Sequence, residues 1–383
     1  MSISIWCPFI SEVATVKTVI NTISSLRQYS KNKKLEINLI NAFGEWDSKR
    51  ELLKNLDINI IDFNKIDKDK LLKKGGFFRS RFFYIIIFIK SFFKLHNYLK
   101  KKKNTYLLCF LITSLPLFLN ALFKYESKVI LRIAGLPRMN LFRRNFWKLV
   151  GKNIHLITCP TKETLESLKK NNIFNNIKLI FLPEPALYLK DIRTKKFKIL
   201  PEKNFKRENS LLSIGRLTRQ KNYQFLIKGI VKVFENHKDL KLFIIGEGEE
   251  KENIINLIKQ LGLKNKVFLL GYKNNVFPYL QQCKCFILSS LWEDPGYVLI
   301  EAAFLNAPIV SSDCPNGPKS ILKEGKAGFL YKSNSVIDFN EKLEQFLSST
   351  NEDILKKKIN AKKGIKIYTN FQHYSAIKQY LNV

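Results

Sequence analysis

Short apolar runs alternate with longer amphipathic stretches along the whole chain. Runs over residues 3–9, 35–40 and 58–63 predict strands, and residues 11–26 place Val13, Val16, Ile20, Ile23 and Leu26 near helical spacing. Residues 129–134 and 156–159 predict further strands, the second leading to Thr161 as the cap of a helix over 162–170. Residues 105–123, TYLLCFLITSLPLFLNALF, carry no charge. Pro116, with the polar Thr113, Ser114 and Asn120, divides this run into strand, loop and helix rather than a membrane span. The second half repeats more cleanly, with strands predicted at 210–214, 240–245, 267–270, 285–288, 308–311 and 328–331 and helices in the gaps. Residues 351–383 predict two helices broken near 368–371. This alternation specifies an α/β protein with largely parallel sheets.

The chain has 383 residues, which suits two domains. Residues 185–209 are Lys-rich, weakly patterned and bracketed by prolines, so a boundary is expected near Ile192. Hydrophobic content of 45% supports real cores and excludes general disorder. The six cysteines form no CxxC and do not cluster with the four histidines, so core thiols are expected rather than zinc. The start, MSISIWCPF, lacks a basic n-region and a small-residue cleavage site, and no signal peptide is expected.

Charge changes the picture most. Lys and Arg number 66 against 32 Asp and Glu, a net +34. Residues 1–200 carry 38 basic and 14 acidic residues (net +24), and no acid occurs between Lys70 and Tyr125. Such a field implies an anionic partner: a membrane surface, a diphosphate or nucleic acid. Residues 75–103 interleave Lys and Arg with Phe, Tyr and Ile. Their unbroken apolar part, 82–89, is too short to span a bilayer but suits an interfacial helix.

The candidate chemistry gathers in 289–321, SSLWEDPGYVLIEAAFLNAPIVSSDCPNGPKSI. Glu293 lies in a loop after a predicted strand, and Glu301 lies on the helix that follows Asp294-Pro295-Gly296. A helix start offers unpaired N–H groups to phosphate, and carboxylates accept hydrogen bonds from sugar hydroxyls. Arg216 and Lys221 follow the strand ending before Gly215, where ligands of open α/β sheets bind, and suit a diphosphate. Gly246-Glu247-Gly248 predicts a tight turn after the next strand, and Gly271-Tyr272 places a backbone or ring where a base would lie.

In this order, GRL-x3-K, GEG, LGY, E-x7-E and DCPNGPKSIL resemble the C-terminal half of the family 4 retaining glycosyltransferases. The resemblance implies the GT-B fold: two Rossmann-like domains facing across a cleft, with a C-terminal helix crossing back. It implies an acceptor-binding domain at 1–192, a nucleotide-sugar-binding domain at 193–365 and the returning helix at 366–383. Arg216 and Lys221 would hold the donor diphosphate and Glu293 the donor sugar. The amides of Gly296, Tyr297 and Val298 would meet phosphate or sugar, and Glu301 the ribose. Gly215, Gly246 and Tyr272 complete the implied donor site. Three departures stand out. The family's N-terminal His is absent from 111–116, and His96, His155, His237 and His373 are expected to be structural or at the surface. The usual Gly-Pro-Arg-Glu reads Gly317-Pro318-Lys319-Ser320. Residues 9–15, FISEVAT, replace the first Gly-Gly loop with a Ser/Thr-rich helix start.

The implied function is metal-independent, retaining transfer of a hexose or N-acetylhexosamine from a nucleoside-diphosphate sugar. A UDP-sugar is preferred over a GDP-sugar, and no cofactor is expected. The implied acceptor is a lipid-linked or surface glycan, such as an O-antigen, lipopolysaccharide or capsule precursor. The enzyme is expected in the cytoplasm, peripheral to the anionic inner face of the cell membrane. A nucleic-acid-binding protein is the alternative from charge alone, but the chain shows no RRM, KH or helix-turn-helix pattern. A nucleotide-sugar epimerase is the other alternative.

Overall fold

The computed structural model describes residues 2–10, 13–32, 34–65, 77–137 and 139–381, with the backbone alone for 77–81. The chain forms two compact units: Met1–Pro185 with Asn370–Val383, and Ala186–Thr369.

The first unit holds a parallel sheet of β1 (Ser2–Trp6), β2 (Glu36–Asn41), β3 (Asn59–Asp62), β4 (Thr105–Cys109), β5 (Lys128–Arg132), β6 (Leu156–Cys159) and β7 (Leu179–Phe181). Their order is β3-β2-β1-β4-β5-β6-β7. β1, β4 and β6 are buried along their whole length, as strands covered on both faces must be. One face is covered by helices Phe77–Lys101, Ser114–Phe123 and Leu141–Gly151 around Leu107, Leu131 and Ile157. The uncharged run 105–123 therefore becomes β4 and a packed helix with Leu115, Leu117 and Leu119 buried. The other face is covered by helix Ala14–Tyr29 and by the last helix, Asn370–Leu381. Tyr374, Ile377 and Leu381 join Val19, Ile23 and Leu26 in that core.

Helix Ala14–Tyr29 also fastens the two points where the chain leaves and re-enters this unit. Asn21 Nδ2 donates to the Pro185 carbonyl at 2.6 Å, and Ser25 Oγ donates to the Asn370 carbonyl at 2.7 Å. Buried His373 spans the two, with Nδ1 2.8 Å from the Pro183 carbonyl and Nε2 3.2 Å from Thr22 Oγ1. A carbonyl only accepts, so Nδ1 carries the proton.

The second unit holds β8 (Ser210–Ile214), β9 (Lys241–Ile245), β10 (Val267–Leu269), β11 (Cys285–Leu288), β12 (Ile309–Ser312) and β13 (Phe329–Tyr331). All are parallel, in the order β10-β9-β8-β11-β12-β13. This is the doubly wound order whose switch point falls between β8 and β11. Residues 185–209 are no linker. Ala186, Leu187, Ile192 and Phe205 lie in the second unit's core, and Ile192 sits inside helix Leu189–Lys195. Glu202 accepts from Lys273 Nζ at 2.7 Å and from the Tyr279 hydroxyl at 2.5 Å. The Lys-rich composition reflects the exposed side of this segment, and its sparse apolar residues do the anchoring.

Candidate functional site

The site is built on the loops that leave β8, β9 and β11, at the switch point of the second sheet. Three glycines let these loops approach closely. A Cβ on Gly246 (φ 150°) would lie 1.9 Å from the Gly215 carbonyl oxygen. One on Gly248 would lie 2.3 Å from the Leu217 carbonyl oxygen. A Cβ on Gly215 would meet Lys221 Cε at 2.9 Å, so Gly215 leaves the channel through which Lys221 reaches. Backbone bonds close the bundle: Gly215 N–H to the Ile245 carbonyl, Leu217 N–H to Glu247 and Gly246 N–H to Gly271, each at 2.9 Å.

Lys221 and Glu293, distant in sequence, meet here. Lys221 Nζ donates to Glu293 Oε1 at 2.5 Å, and Ser290 Oγ donates to the same oxygen at 2.6 Å. Glu293 is 5% exposed. Its Oε2 has no hydrogen-bond partner among the described residues and lies towards Gly296, whose added Cβ would be 3.6 Å away. The loop is held from several sides. Glu293 N–H donates to the Pro315 carbonyl at 3.1 Å, and Asn316 Nδ2 donates to the Glu293 carbonyl and to Asp294 Oδ1, both at 3.1 Å. Ser289 Oγ donates to the Lys221 carbonyl at 2.7 Å, and Gln220 Nε2 to the Trp292 carbonyl at 2.8 Å. One carboxylate oxygen is thus fixed by an ammonium and a hydroxyl, and the other is available to a ligand. The ammonium keeps two more N–H donors for an anion.

Gly296, with φ 101°, caps helix Tyr297–Phe304. Tyr297 and Val298 are half-buried in its first turn, and Glu301 is buried one turn on, sharing their face by helical spacing. Gly317 closes the next loop over this one; a Cβ there would lie 2.1 Å from the Pro295 carbonyl oxygen. Lys319 and Ser320 are exposed. Arg216 is exposed beside Gly215, and its guanidinium makes no hydrogen bond or ion pair among the described residues. Tyr272 is 71% exposed just past β10, next to the Gly271 carbonyl that accepts from Gly246. The structure therefore joins Gly215, Lys221, Gly246, Glu293 and Gly296 into one cluster and leaves Arg216 and Tyr272 at the surface. Sequence reasoning missed Ser289, Ser290 and Asn316. Nothing in the residue pattern marked them, since serine and asparagine are common in loops.

In the first unit, Ser11 and Glu12 of the 9–15 loop lie outside the described residues. His96 bonds the Tyr125 hydroxyl at 2.6 Å and His237 pairs with Glu344 at 2.8 Å, both structural contacts. At the carboxyl ends of β5 and β6 the Arg132 guanidinium grips Glu184, which also accepts from Thr18 Oγ1 at 2.8 Å. A small cavity of about 20 Å³ beside them is bordered by Thr158, Leu182 and His373. It has room for one water, which suits the unpaired Arg132 Nη1. Among the described residues, no three His, Cys, Asp or Glu side chains gather as a metal-binding group.

Two doubly wound parallel units, the second with a polar site at its switch point, place the chain in the GT-B class of glycosyltransferase folds. HepE of Anabaena, solved in complex with UDP-glucose, superposes with a TM-score of 0.72 at 14% identity over 100% of this chain and 99% of that one. More particularly, residues 195–364 match the family model Glycosyl transferases group 1. An uncharacterized glycosyltransferase of Methanocaldococcus jannaschii is 45% identical over 118 residues, 31% of this chain and 29% of the relative. The N-acetylgalactosamine-N,N'-diacetylbacillosaminyl-diphospho-undecaprenol 4-alpha-N-acetylgalactosaminyltransferase of Campylobacter jejuni is 29% identical over 240 residues, 61% of this chain and 62% of the relative. The chain thus spans less than two thirds of the length of either relative.

Proposed function

We propose that the protein is a retaining, metal-independent glycosyltransferase that moves a hexose or N-acetylhexosamine from a UDP-sugar to a lipid-linked glycan. One observation carries the reading. Glu293 is fixed through Oε1 by Lys221 and Ser290 and presents Oε2 beside the start of helix Tyr297–Phe304. A carboxylate so placed accepts from sugar hydroxyls, while Lys221, Arg216 and the amides of Gly296, Tyr297 and Val298 meet the diphosphate. Glu301 takes the ribose hydroxyls, and Tyr272 lies where the base stacks. In the reaction the bond from the anomeric carbon to the phosphate oxygen breaks. The acceptor oxygen bonds that carbon from the same face, and its proton passes to the departing phosphate. The protein positions and stabilises charge rather than supplying a strong base.

The names of the relatives support the acceptor class. The Campylobacter protein acts on a diphospho-undecaprenol-linked sugar. We place this protein's acceptor there too, with the first unit as the acceptor-binding domain at the inner face of the cell membrane. The test is a thermal-shift panel of UDP-glucose, UDP-GlcNAc, UDP-GalNAc and GDP-mannose, followed by UDP release on addition of an undecaprenyl-diphosphate-linked acceptor. Stabilisation by UDP-sugars, and UDP release only with acceptor, supports the reading. Stabilisation by GDP-mannose alone replaces the donor, and epimerised donor without release overturns transfer.

A further inference from the structure

We infer that three neighbouring helices of the first unit, Phe77–Lys101, Ser114–Phe123 and Leu141–Gly151, form a docking face for an anionic lipid bilayer. The inference rests on the peripheral-membrane part of the reading above and is independent of the donor site.

The first of these helices is apolar on two opposite sides. Phe83, Ile87, Leu95 and Leu99 are buried at four-residue spacing towards the sheet. On the opposite line Phe82, Ile85, Ile89 and Phe93 are 61%, 55%, 65% and 73% exposed. A helix lying on a sheet normally turns a polar face outward, whereas this second stripe is apolar and exposed among the described residues of the unit. The stripe continues across the layer. The rings of Phe88 and Phe118 lie 5.8 Å apart and those of His96 and Phe123 4.3 Å apart. Asn120 and Asn153 exchange side-chain to carbonyl bonds at 2.9 and 3.2 Å, tying the second helix to the end of the third. The third exposes Leu141, Phe142 and Leu149. Among the described residues of the first unit, every exposed large apolar side chain except Leu52 and Phe371 lies on these helices or at Leu136.

Charge selects the occupant. Lys90, Lys100, Lys101, Arg144 and Lys148 are exposed along the same layer, and none of the three helices contains an acid. A second copy would bring like charges together. Nucleic acid would gain nothing from the exposed Ile85 and Ile89. An anionic bilayer satisfies both parts, taking apolar side chains below its headgroups and basic ones among them. Helix Phe82–Lys101 is long and apolar enough to span. Its inner stripe is already packed on the sheet, and Lys90 and Lys94 sit in its middle. It therefore lies in the plane of the interface.

The test is flotation of the full chain with vesicles of phosphatidylglycerol and phosphatidylethanolamine, or of phosphatidylcholine alone, at low and at high salt. The wild type is expected to float with the anionic vesicles, less at high salt, and weakly with phosphatidylcholine. Ile89→Asp with Phe93→Asp should lower partitioning at least about tenfold, the scale set by removing two buried apolar side chains, with an unchanged melting temperature. Lys90→Glu with Lys100→Glu should remove the preference for anionic vesicles. Failure of the wild type to float overturns both this inference and the membrane reading. Flotation that neither pair of substitutions changes overturns this surface alone. A dimer that Ile89→Asp with Phe93→Asp dissociates, without effect on flotation, makes the face a self-interface and also overturns it.

Discussion

At Glu293 only one carboxylate oxygen is held by Lys221 and Ser290, and side-chain substitutions should tell the proposed roles of the two oxygens apart. Glu293→Gln keeps the shape but loses the charge that holds Lys221, and transfer should fall at least about 100-fold, the scale of one lost transition-state electrostatic contact. Ser290→Ala removes one charge-assisted hydrogen bond to Oε1. It should lower kcat/KM for the donor about tenfold, with a small change in melting temperature and rescue by Ser290→Thr. An unchanged kcat/KM in Ser290→Ala would show that Lys221 alone orients the carboxylate. Gly246→Ala puts a methyl into the Gly215 carbonyl and should destabilise the second unit by about 3 kcal/mol, read from urea unfolding. At this scale Lys221 and Glu293 were legible as candidates because their types and spacing carry chemistry, and the structure brings the two together. Ser290 and Asn316 were not, because a serine or asparagine in a loop looks the same whether or not it bonds a carboxylate or its loop.

The strands of the second half lie within a residue or so of where the apolar runs put them, since buried parallel strands are written as uninterrupted hydrophobic residues. β7 went unseen because it is three half-buried residues, too short to make a pattern. Residues 185–209 misled because buried Ala186, Leu187, Ile192 and Phe205 are diluted by solvated lysines. The junction between helix Ala14–Tyr29 and helix Asn370–Leu381 was also invisible, because its bonds join residues more than 160 positions apart. It has a pH signature. Burial pushes the His373 imidazole down to about 4 from its ordinary 6.5. Below pH 6.5 the unfolded chain binds a proton that the folded chain refuses until about pH 4. This contribution is therefore complete above pH 6.5 and is lost as pH falls towards 4, at up to about 1.4 kcal/mol per pH unit. Urea midpoints should decline over that window, and His373→Gln should flatten the decline. An equal slope in the variant would assign the acid sensitivity elsewhere.

Each unit closes its own hydrophobic core, and the clusters of the second lie wholly within residues 186–369. That fragment should unfold cooperatively and retain UDP-dependent stabilisation, whereas residues 1–185 alone lack Tyr374, Ile377 and Leu381 and should be less stable than the unit with its last helix. Net charge was readable at once, but its arrangement was not. The sequence shows a basic, aromatic first half; only the packing shows which apolar residues face outward. The central claim concerns the second unit: the cluster around Glu293 and Glu301 holds a nucleoside-diphosphate sugar. The direct measurement is calorimetric titration of UDP-glucose, UDP-GlcNAc and UDP-GalNAc into the full chain, its Lys221→Ala variant and its Glu301→Ala variant. The expected result is one-to-one binding of at least one of them, weakened about tenfold or more in each variant, as loss of a charge-assisted contact requires. Binding of equal strength in all three proteins, or none to any nucleoside-diphosphate sugar including GDP-mannose, would contradict the account.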